Sequence, residues 1–241
     1  MYPDIYFIGV DQTQETSLPF PSNLVNQTFP EDAAGYMVGA LAAAVSENYS
    51  IGAVCSTYTL PAIWRYCEGY RAGAAYADSK LNNQTRVSVI YHKDTALAKT
   101  LSDPGWGTEM ADSLIAQGVD VIFGVGGTTS TAGLVESATK GVYVVDVDVD
   151  QYYTVPEAAS MMLSSAVKLV APGMADLIAK AREAQNGDFA FPAGNYLCPV
   201  SFAPYHDMDG KISANVKNLM HDPTTGLLDG TIGTSIPLTK P

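Results

Sequence analysis

The sequence predicts an α/β protein built on a parallel sheet that is covered by helices on both faces. Three observations support this fold class: short β-branched runs alternate with helix-length segments, the connections are short, and two of the apolar runs end at an acidic residue followed by Gln. These two runs are FIGVDQ (7–12) and VVDVDVDQ (144–151). The alternation is typical of parallel sheets with crossover helices, and both runs are predicted to be strands buried on both faces.

The elements follow one another in a regular order up to residue 148. After the first strand, a Pro- and Asn-rich loop extends to Phe29, and Glu31 and Asp32 then open a buried Ala-rich helix, where acids suit the positive end of the helix dipole. The following elements are predicted as strands at 51–56, 86–91, 119–125 and 142–148, and as helices at 60–78, 107–118 and 129–140.

The remainder of the chain has a looser pattern. A short strand is predicted at 161–165, followed by a long helix at 166–187 that Pro172 interrupts and Gly187 ends. The tail is predicted to hold short segments at 196–204 and 211–222.

The composition excludes two classes of partner. The chain has 241 residues, a net charge of −12 and only 13 Lys and Arg residues, whereas nucleic acids and anionic membranes are bound through clustered cations. No apolar run approaches the ~20 residues of a membrane-spanning helix, and the first four residues lack the basic and apolar regions of a signal peptide. We therefore expect no nucleic-acid partner and no export address in the chain as given.

The three cysteines are Cys55, Cys67 and Cys198. Their odd number and the absence of a CxxC spacing indicate neither a zinc site nor a full disulfide framework, and we expect buried free thiols.

Two sequence features lie at predicted carboxyl ends of strands, where open α/β sheets bind ligands. The first is the turn Gly126-Gly127-Thr128. The amides of Gly127, Thr128 and Thr129 could hold an oxygen-rich group, but a tight βα turn has the same pattern.

The second feature is a set of acids: Asp11 after the first strand, and Asp146, Asp148 and Asp150 in the DVDVD segment. On an extended strand the last three would share one face. These carboxylates could accept hydrogen bonds from ligand hydroxyl or N–H groups, or could simply cap the turns that follow the strands.

Motifs for metal binding and catalysis are nearly absent from the sequence. The DVDVD segment is similar to a calcium loop or to a DxD metal site, but it lacks the Gly and Glu of the calcium loop, and no second ligand is placed by the sequence. The three histidines form no HExxH pattern, and neither a G-x-S-x-G elbow nor a known cysteine nucleophile context occurs. We expect no catalytic residue, no metal and no cofactor, which favours a binding protein.

The order of several motifs resembles the basic membrane protein (BMP) family. These motifs are PDIYFIGVDQ, EDAAGYMVGALAA, LPAIWRYCEGYRAG, GVDVIFGVGGTTSTAG, VVDVDVDQY, LSSAVKL and APYHDMDGKI, and they extend from about Tyr2 to Val216. Members of this family are nucleoside-binding lipoproteins of ABC importers with the type 1 periplasmic-binding-protein fold.

This resemblance implies two doubly wound parallel-sheet lobes joined by a hinge, with a purine nucleoside (inosine, guanosine or adenosine) enclosed between them. Residues 1–48 and 149–241 would form a partial first lobe with the hinge crossovers, and 49–148 a complete second lobe. The first lobe would be incomplete, because members carry a longer N-terminal part, and we expect self-association through it. An ABC permease as partner and an extracytoplasmic location follow from the same resemblance.

The resemblance also implies a set of ligand-binding residues. Asp11 and Asp148 match the family's acids, and Lys168 matches the lysine of its S-x-V-K motif. The glycine-rich turn matches a G-G-T motif. Where the family places an aromatic residue that stacks on the base, this chain has Leu101. The stacking role could pass to Trp64 or Trp106, and Trp64 could equally be a core residue. The predicted ligand-binding residues are Asp11, Trp64, Gly126, Gly127, Thr128, Asp148 and Lys168.

Two alternatives remain open on the sequence alone. One is a metal-dependent enzyme that processes nucleosides or nucleotide sugars with the DVDVD carboxylates. The other is a degenerate homologue that has kept the fold and lost its affinity for solute.

Overall fold

A computed structural model of the chain describes residues 2, 5–13, 19–187 and 190–240. Residues 14–18 of the predicted first loop lie outside the described residues. The strands are Phe7–Gly9 (β1), Leu24–Thr28 (β2), Ser50–Cys55 (β3), Arg86–Tyr91 (β4), Val121–Val125 (β5), Tyr143–Asp148 (β6), Met162–Lys168 (β7), Gly194–Leu197 (β8) and Val200–Phe202 (β9). The helices are Glu31–Val45 (α1), Pro61–Leu81 (α2), Leu97–Thr100 (α3), Pro104–Ala116 (α4), Gly127–Thr139 (α5), Val170–Asn186 (α6) and Ala214–Asp229 (α7).

The contacts divide the chain into two compact units. Unit 1 comprises Met1–Pro30 and Lys168–Val200, and unit 2 comprises Glu31–Val167 and Ser201–Pro241. The chain therefore passes between the units three times. These unit boundaries differ from the lobe boundaries at 48/49 and 148/149 that the family resemblance implies. That lobe division stays a prediction.

Unit 1 contains a three-stranded sheet in the order β1-β2-β8, with parallel pairing throughout. Its central strand, β2, was predicted as part of the loop that extends to Phe29, because that segment is rich in Pro and Asn. In the structure Asn26 and Gln27 are buried, and the Gln27 side chain donates a hydrogen bond to the Val170 carbonyl oxygen at 3.1 Å. The prediction that β1 is buried on both faces is wrong, since Phe7 at the sheet edge is 44% exposed.

Unit 2 is built on a sheet in the order β4-β3-β5-β6-β7-β9, and its pairs from β4 to β7 are parallel. The side chains of adjacent residues in the central strand β5 pack into cores on opposite faces of the sheet. Ile122 belongs to a buried cluster with Leu114 of α4 and Leu134 of α5, whereas the Phe123 ring contacts the rings of α2 tyrosines. The predicted arrangement of helices on both faces of a parallel sheet is confirmed.

Helices α1 and α2 pack against each other through four glycines. A Cβ atom at Gly35 or Gly39 of α1 would lie 2.1 Å or 2.0 Å from a carbonyl oxygen of α2. On α2, a Cβ atom at Gly69 or Gly73 would lie 2.2 Å or 1.9 Å from a carbonyl oxygen of α1. The two backbones are therefore in direct contact, which only glycine permits at these positions.

Several other predictions are corrected or confirmed by the structure. Strand β7 extends to Lys168, so α6 begins only at Val170. Pro172 therefore lies in the first turn of α6, where proline is tolerated and does not interrupt the helix.

Cys55 and Cys67 form a disulfide, with Cα atoms 6.7 Å apart, so the expectation of free thiols is wrong for this pair. It is confirmed for Cys198, which is buried and free. Among the described residues, no helix combines the length and apolarity that crossing a membrane requires.

Candidate functional site

The carboxyl ends of β3, β5 and β6 lie along one edge of the sheet in unit 2, because the three strands are parallel and paired in register. The residues found at this edge are Ser56, Gly126 and Asp148. Loops and helix N-termini converge at such an edge, and ligands of open α/β sheets bind there.

Asp148 is the last residue of β6, and its backbone adopts a positive φ of 72°. The residue is exposed, whereas the preceding four strand residues are buried. The Tyr66 hydroxyl of α2 donates a hydrogen bond to the Asp148 Oδ1 atom at 3.3 Å. The sequence therefore placed this carboxylate correctly at an exposed strand end, but gave no indication of its tyrosine partner.

The other two acids of the DVDVD segment lie in different surroundings from Asp148. Asp146 is 2% exposed; its Oδ1 atom accepts from the Val147 amide at 2.8 Å, and its Oδ2 atom has no partner in the described part of the chain. Burial raises the pKa of Asp146 to about 7, with a smaller contribution from the Asp148 charge. Asp150 lies beyond the strand, with its Oδ2 atom 2.8 Å from the His206 Nε2 atom.

The expectation that the three acids share one face is therefore wrong, because β6 ends at Asp148 and the backbone turns there. Within the described residues, no group of three or more His, Cys, Asp or Glu side chains could hold a metal ion.

The glycine-rich turn connects β5 to α5. Gly126 (φ 110°) and Gly127 (φ 62°) both adopt backbone conformations that favour glycine. Protein atoms already fill the space where their side chains would lie: a Cβ atom would meet the Ser56 Oγ atom at 1.9 Å and the Leu101 carbonyl oxygen at 2.4 Å, respectively. The Thr128 hydroxyl donates to the same Leu101 oxygen at 3.3 Å. These glycines are thus required by local packing, whether or not a ligand approaches.

Ser56 is a polar residue of this edge that the sequence analysis missed. Its side chain is fully buried, and its Oγ atom has no hydrogen-bond partner among the described residues. Gly126, the residue at the N-terminus of α5, provides no side-chain cap for the helix amides. A serine directly after a strand was the only signal in the sequence, and many turns share it.

Trp64 belongs to an aromatic cluster of unit 2. Its ring stacks on Tyr91, with ring centroids 5.7 Å apart and an interplanar angle of 28°, and the Tyr58 ring meets Tyr91 edge-on at 6.3 Å. The Tyr91 hydroxyl donates to Glu68 at 2.8 Å, and burial together with this carboxylate raises the pKa of Tyr91. The Trp64 Nε1 atom is buried and has no partner in the described part of the chain. A role for Trp64 in stacking on a ligand stays a prediction.

Unit 1 brings together Asp11 and Lys168. The Lys168 Nζ atom donates to both carboxylate oxygens of Asp11, at 2.7 Å and 2.9 Å, and lies 5.6 Å from the centre of the Phe29 ring. The Lys168 side chain is 4% exposed and that of Asp11 is 46% exposed. A buried ammonium group is costly without a counter-charge, so this ion pair explains how Lys168 is tolerated at the end of β7.

Solved structures with the same fold include a protein described as a transcriptional activator of the comK gene from Bacillus halodurans (20% identical, TM-score 0.68, over 96% of this chain and 72% of that chain) and two solute-binding proteins of ABC transporter systems. One from Aeropyrum pernix K1 is 19% identical, with a TM-score of 0.75 over 96% of this chain and 71% of that chain. Another from Conexibacter woesei is 18% identical, with a TM-score of 0.72 over 99% of this chain and 74% of that chain. These likenesses establish the fold, which is α/β and like that of type 1 periplasmic binding proteins.

The sequence comparison identifies the family. A family model described as "ABC transporter substrate-binding protein PnrA-like" matches residues 1–190, and the chain belongs to this family. It is 30% identical over 173 residues to basic membrane protein A1 of Borrelia garinii subsp. bavariensis, covering 69% of this chain and 45% of the relative. The chain thus spans about half the length of such curated relatives. The predicted family is confirmed, and it comprises substrate-binding proteins of ABC transporters, not enzymes.

Proposed function

We propose that the chain is the solute-binding component of an ABC-type uptake system and that its solute is a purine nucleoside. The observation that carries this proposal is the exposed Asp148 carboxylate at the carboxyl edge of a parallel sheet, in a chain that belongs to a substrate-binding family. A carboxylate at this position accepts hydrogen bonds from ribose hydroxyl groups or from purine N–H groups, and such charge-assisted bonds are among the stronger ones in proteins.

The other predicted residues receive roles of the same kind. In unit 2, the amides of the exposed Gly127 and Thr128 are assigned to an oxygen-bearing group of the solute, and the Trp64–Tyr91 stack is assigned to its base. In unit 1, Lys168 is the proposed donor to a base or sugar acceptor, with Asp11 as its counter-charge in the absence of solute. Gly126 is needed for the turn that presents these amides.

The proposed partner is an ABC permease, and the proposed location is extracytoplasmic. Membership of the family supports both. The disulfide between Cys55 and Cys67 gives independent support for the location, because disulfides persist mainly in oxidising compartments. Self-association through the incomplete first lobe, residues 1–48 and 149–241, stays a prediction.

A thermal-shift panel tests the proposed solute class. We expect inosine, guanosine or adenosine to stabilise the purified chain: saturation at ~100 times Kd adds about 2.7 kcal/mol, which raises the midpoint of unfolding by roughly 5–10 °C for a chain of this size. Uridine, a nucleotide sugar and calcium form the comparison arms. Stabilisation by a nucleotide sugar only together with calcium would favour the metal-dependent alternative, and no shift with any compound would favour a degenerate homologue.

A further inference from the structure

The Tyr66 hydroxyl lies between the carboxyl ends of two neighbouring strands. It donates to the Asp148 Oδ1 atom at 3.3 Å and is 3.4 Å from the Ala166 carbonyl oxygen. Val147 of β6 is paired with Ala166 of β7, so one hydroxyl reaches both strands at the point where β6 ends. Tyr66 itself is 2% exposed, whereas the carboxylate that it contacts is on the surface.

Three features restrain Tyr66: one acts on its ring and two act on the backbone that carries it. Its ring meets the Phe123 ring edge-on, with centroids 6.3 Å apart. The next residue, Cys67, is tied by the disulfide to Cys55 at the end of β3. Helix α1 presses on the backbone, since a Cβ atom at Gly35 would lie 2.1 Å from the Tyr66 carbonyl oxygen. The hydroxyl is therefore held by a rigid part of unit 2.

We propose that Tyr66 is a positioning residue for the solute site, whose hydroxyl fixes the orientation of the Asp148 carboxylate. An exposed carboxylate samples several rotamers, and restricting it before the solute arrives reduces the entropy that binding must overcome. The hydrogen bond from a buried, immobile phenol supplies that restriction. This inference rests on the proposed function, in which Asp148 accepts hydrogen bonds from the solute.

Tyr70 provides a matched control within the same helix. It lies one turn further along α2, is fully buried, and stacks on Phe123 at a centroid distance of 4.9 Å. Its hydroxyl has no hydrogen-bond partner in the described part of the chain. Replacement by phenylalanine therefore removes one buried hydroxyl at either position, but only at Tyr66 does it remove a contact with Asp148.

The test is a double-mutant cycle in the full chain, titrated with inosine, guanosine and adenosine. Tyr66→Phe is expected to weaken nucleoside binding about three- to tenfold, the size of one hydrogen bond, and Tyr70→Phe to leave it within about twofold of wild type. In the Asp148→Ala background, Tyr66→Phe is expected to cause no further loss. Wild-type affinity in Tyr66→Phe, or an undiminished loss in the Asp148→Ala background, would overturn the inference while leaving the proposed function intact.

The same double-mutant cycle, measured by urea unfolding without solute, tests the positioning role of Tyr66 separately from the proposed nucleoside binding. Positioning through the hydrogen bond predicts that the effects of Tyr66→Phe and Asp148→Ala on the free energy of unfolding are not additive. Additive effects would show that the contact does not constrain Asp148 and would overturn the inference. Coupling in unfolding, combined with no nucleoside binding by the wild type, would refute the proposed function and, with it, the role of Tyr66 in binding.

Discussion

Replacing Asp146 with asparagine is expected to abolish a strong pH dependence of stability. Burial raises the pKa of this carboxyl from 3.8 to about 7 in the folded protein. The folded state therefore retains a proton that the unfolded chain loses above pH ~4, and stability falls as the pH rises from about 4 to about 7. A difference of about 3 pKa units corresponds to roughly 4 kcal/mol, which the wild type loses over this window and the Asp146→Asn variant does not.

The measurement is urea unfolding of wild type and Asp146→Asn at pH 4 and pH 8, which bracket the window in which the effect develops. The difference between the two proteins isolates Asp146, because all other titrating groups are common to both. Asp148→Asn should reduce the pH dependence only slightly, since the Asp148 charge is the smaller cause of the raised pKa. Equal pH dependence in wild type and Asp146→Asn would contradict the assignment of a buried, protonated carboxyl to β6.

Replacing Gly39 with alanine is expected to be strongly destabilising, although alanine is the better helix former. A Cβ atom at this position would lie 2.0 Å from the Tyr70 carbonyl oxygen, a backbone atom that cannot move without shifting α2 against α1. We expect a loss of about 3 kcal/mol in the free energy of unfolding, at the upper end of the usual cost of overpacking.

Gly105→Ala is the matched control for this prediction. Gly105 also lies in a helix, α4, but among the described residues its added Cβ atom would have only the Asp103 side chain within 4 Å, at 3.8 Å. The free energy of unfolding of the Gly105→Ala variant should equal that of the wild type or exceed it by up to ~1 kcal/mol, because alanine has the higher helix propensity. Similar free energies of unfolding for the Gly39→Ala and Gly105→Ala variants would show that α1 and α2 are not in backbone contact.

The sequence predicted unit 2 well because hydrophobic periodicity dominates there. The strands β3, β5 and β6 consist largely of apolar runs of strand length, α2 begins at Pro61, and α4 ends at Ala116, shortly before Gly118. The sequence did not predict β2 of unit 1, where the polar segment LVNQT is the central strand of the sheet. Burial of Asn26 and Gln27 depends on partners far along the chain, such as Val170, and local pattern carries no information about these.

The candidate site was predictable only in part, for a related reason. Strand ends located Asp11, Asp148 and the glycine-rich turn, since the position of a residue after a strand is a local property. The partners of these residues are not local: Tyr66 is one of several aromatic residues on α2, and nothing in the sequence indicates that its hydroxyl meets Asp148. The Cys55–Cys67 disulfide was missed because its partners are twelve residues apart, on different elements, without a recognised spacing.

Isothermal titration of the wild type and of Asp148→Ala with inosine, guanosine and adenosine tests the central claim most directly. The account predicts saturable binding of a purine nucleoside by the wild type. It also predicts at least about a 30-fold loss of affinity in Asp148→Ala, which corresponds to the ~2 kcal/mol expected for a hydrogen bond to a charged group. Equal affinity in the two proteins would remove Asp148 from the site, and no binding of any purine nucleoside by the wild type would contradict the proposed function.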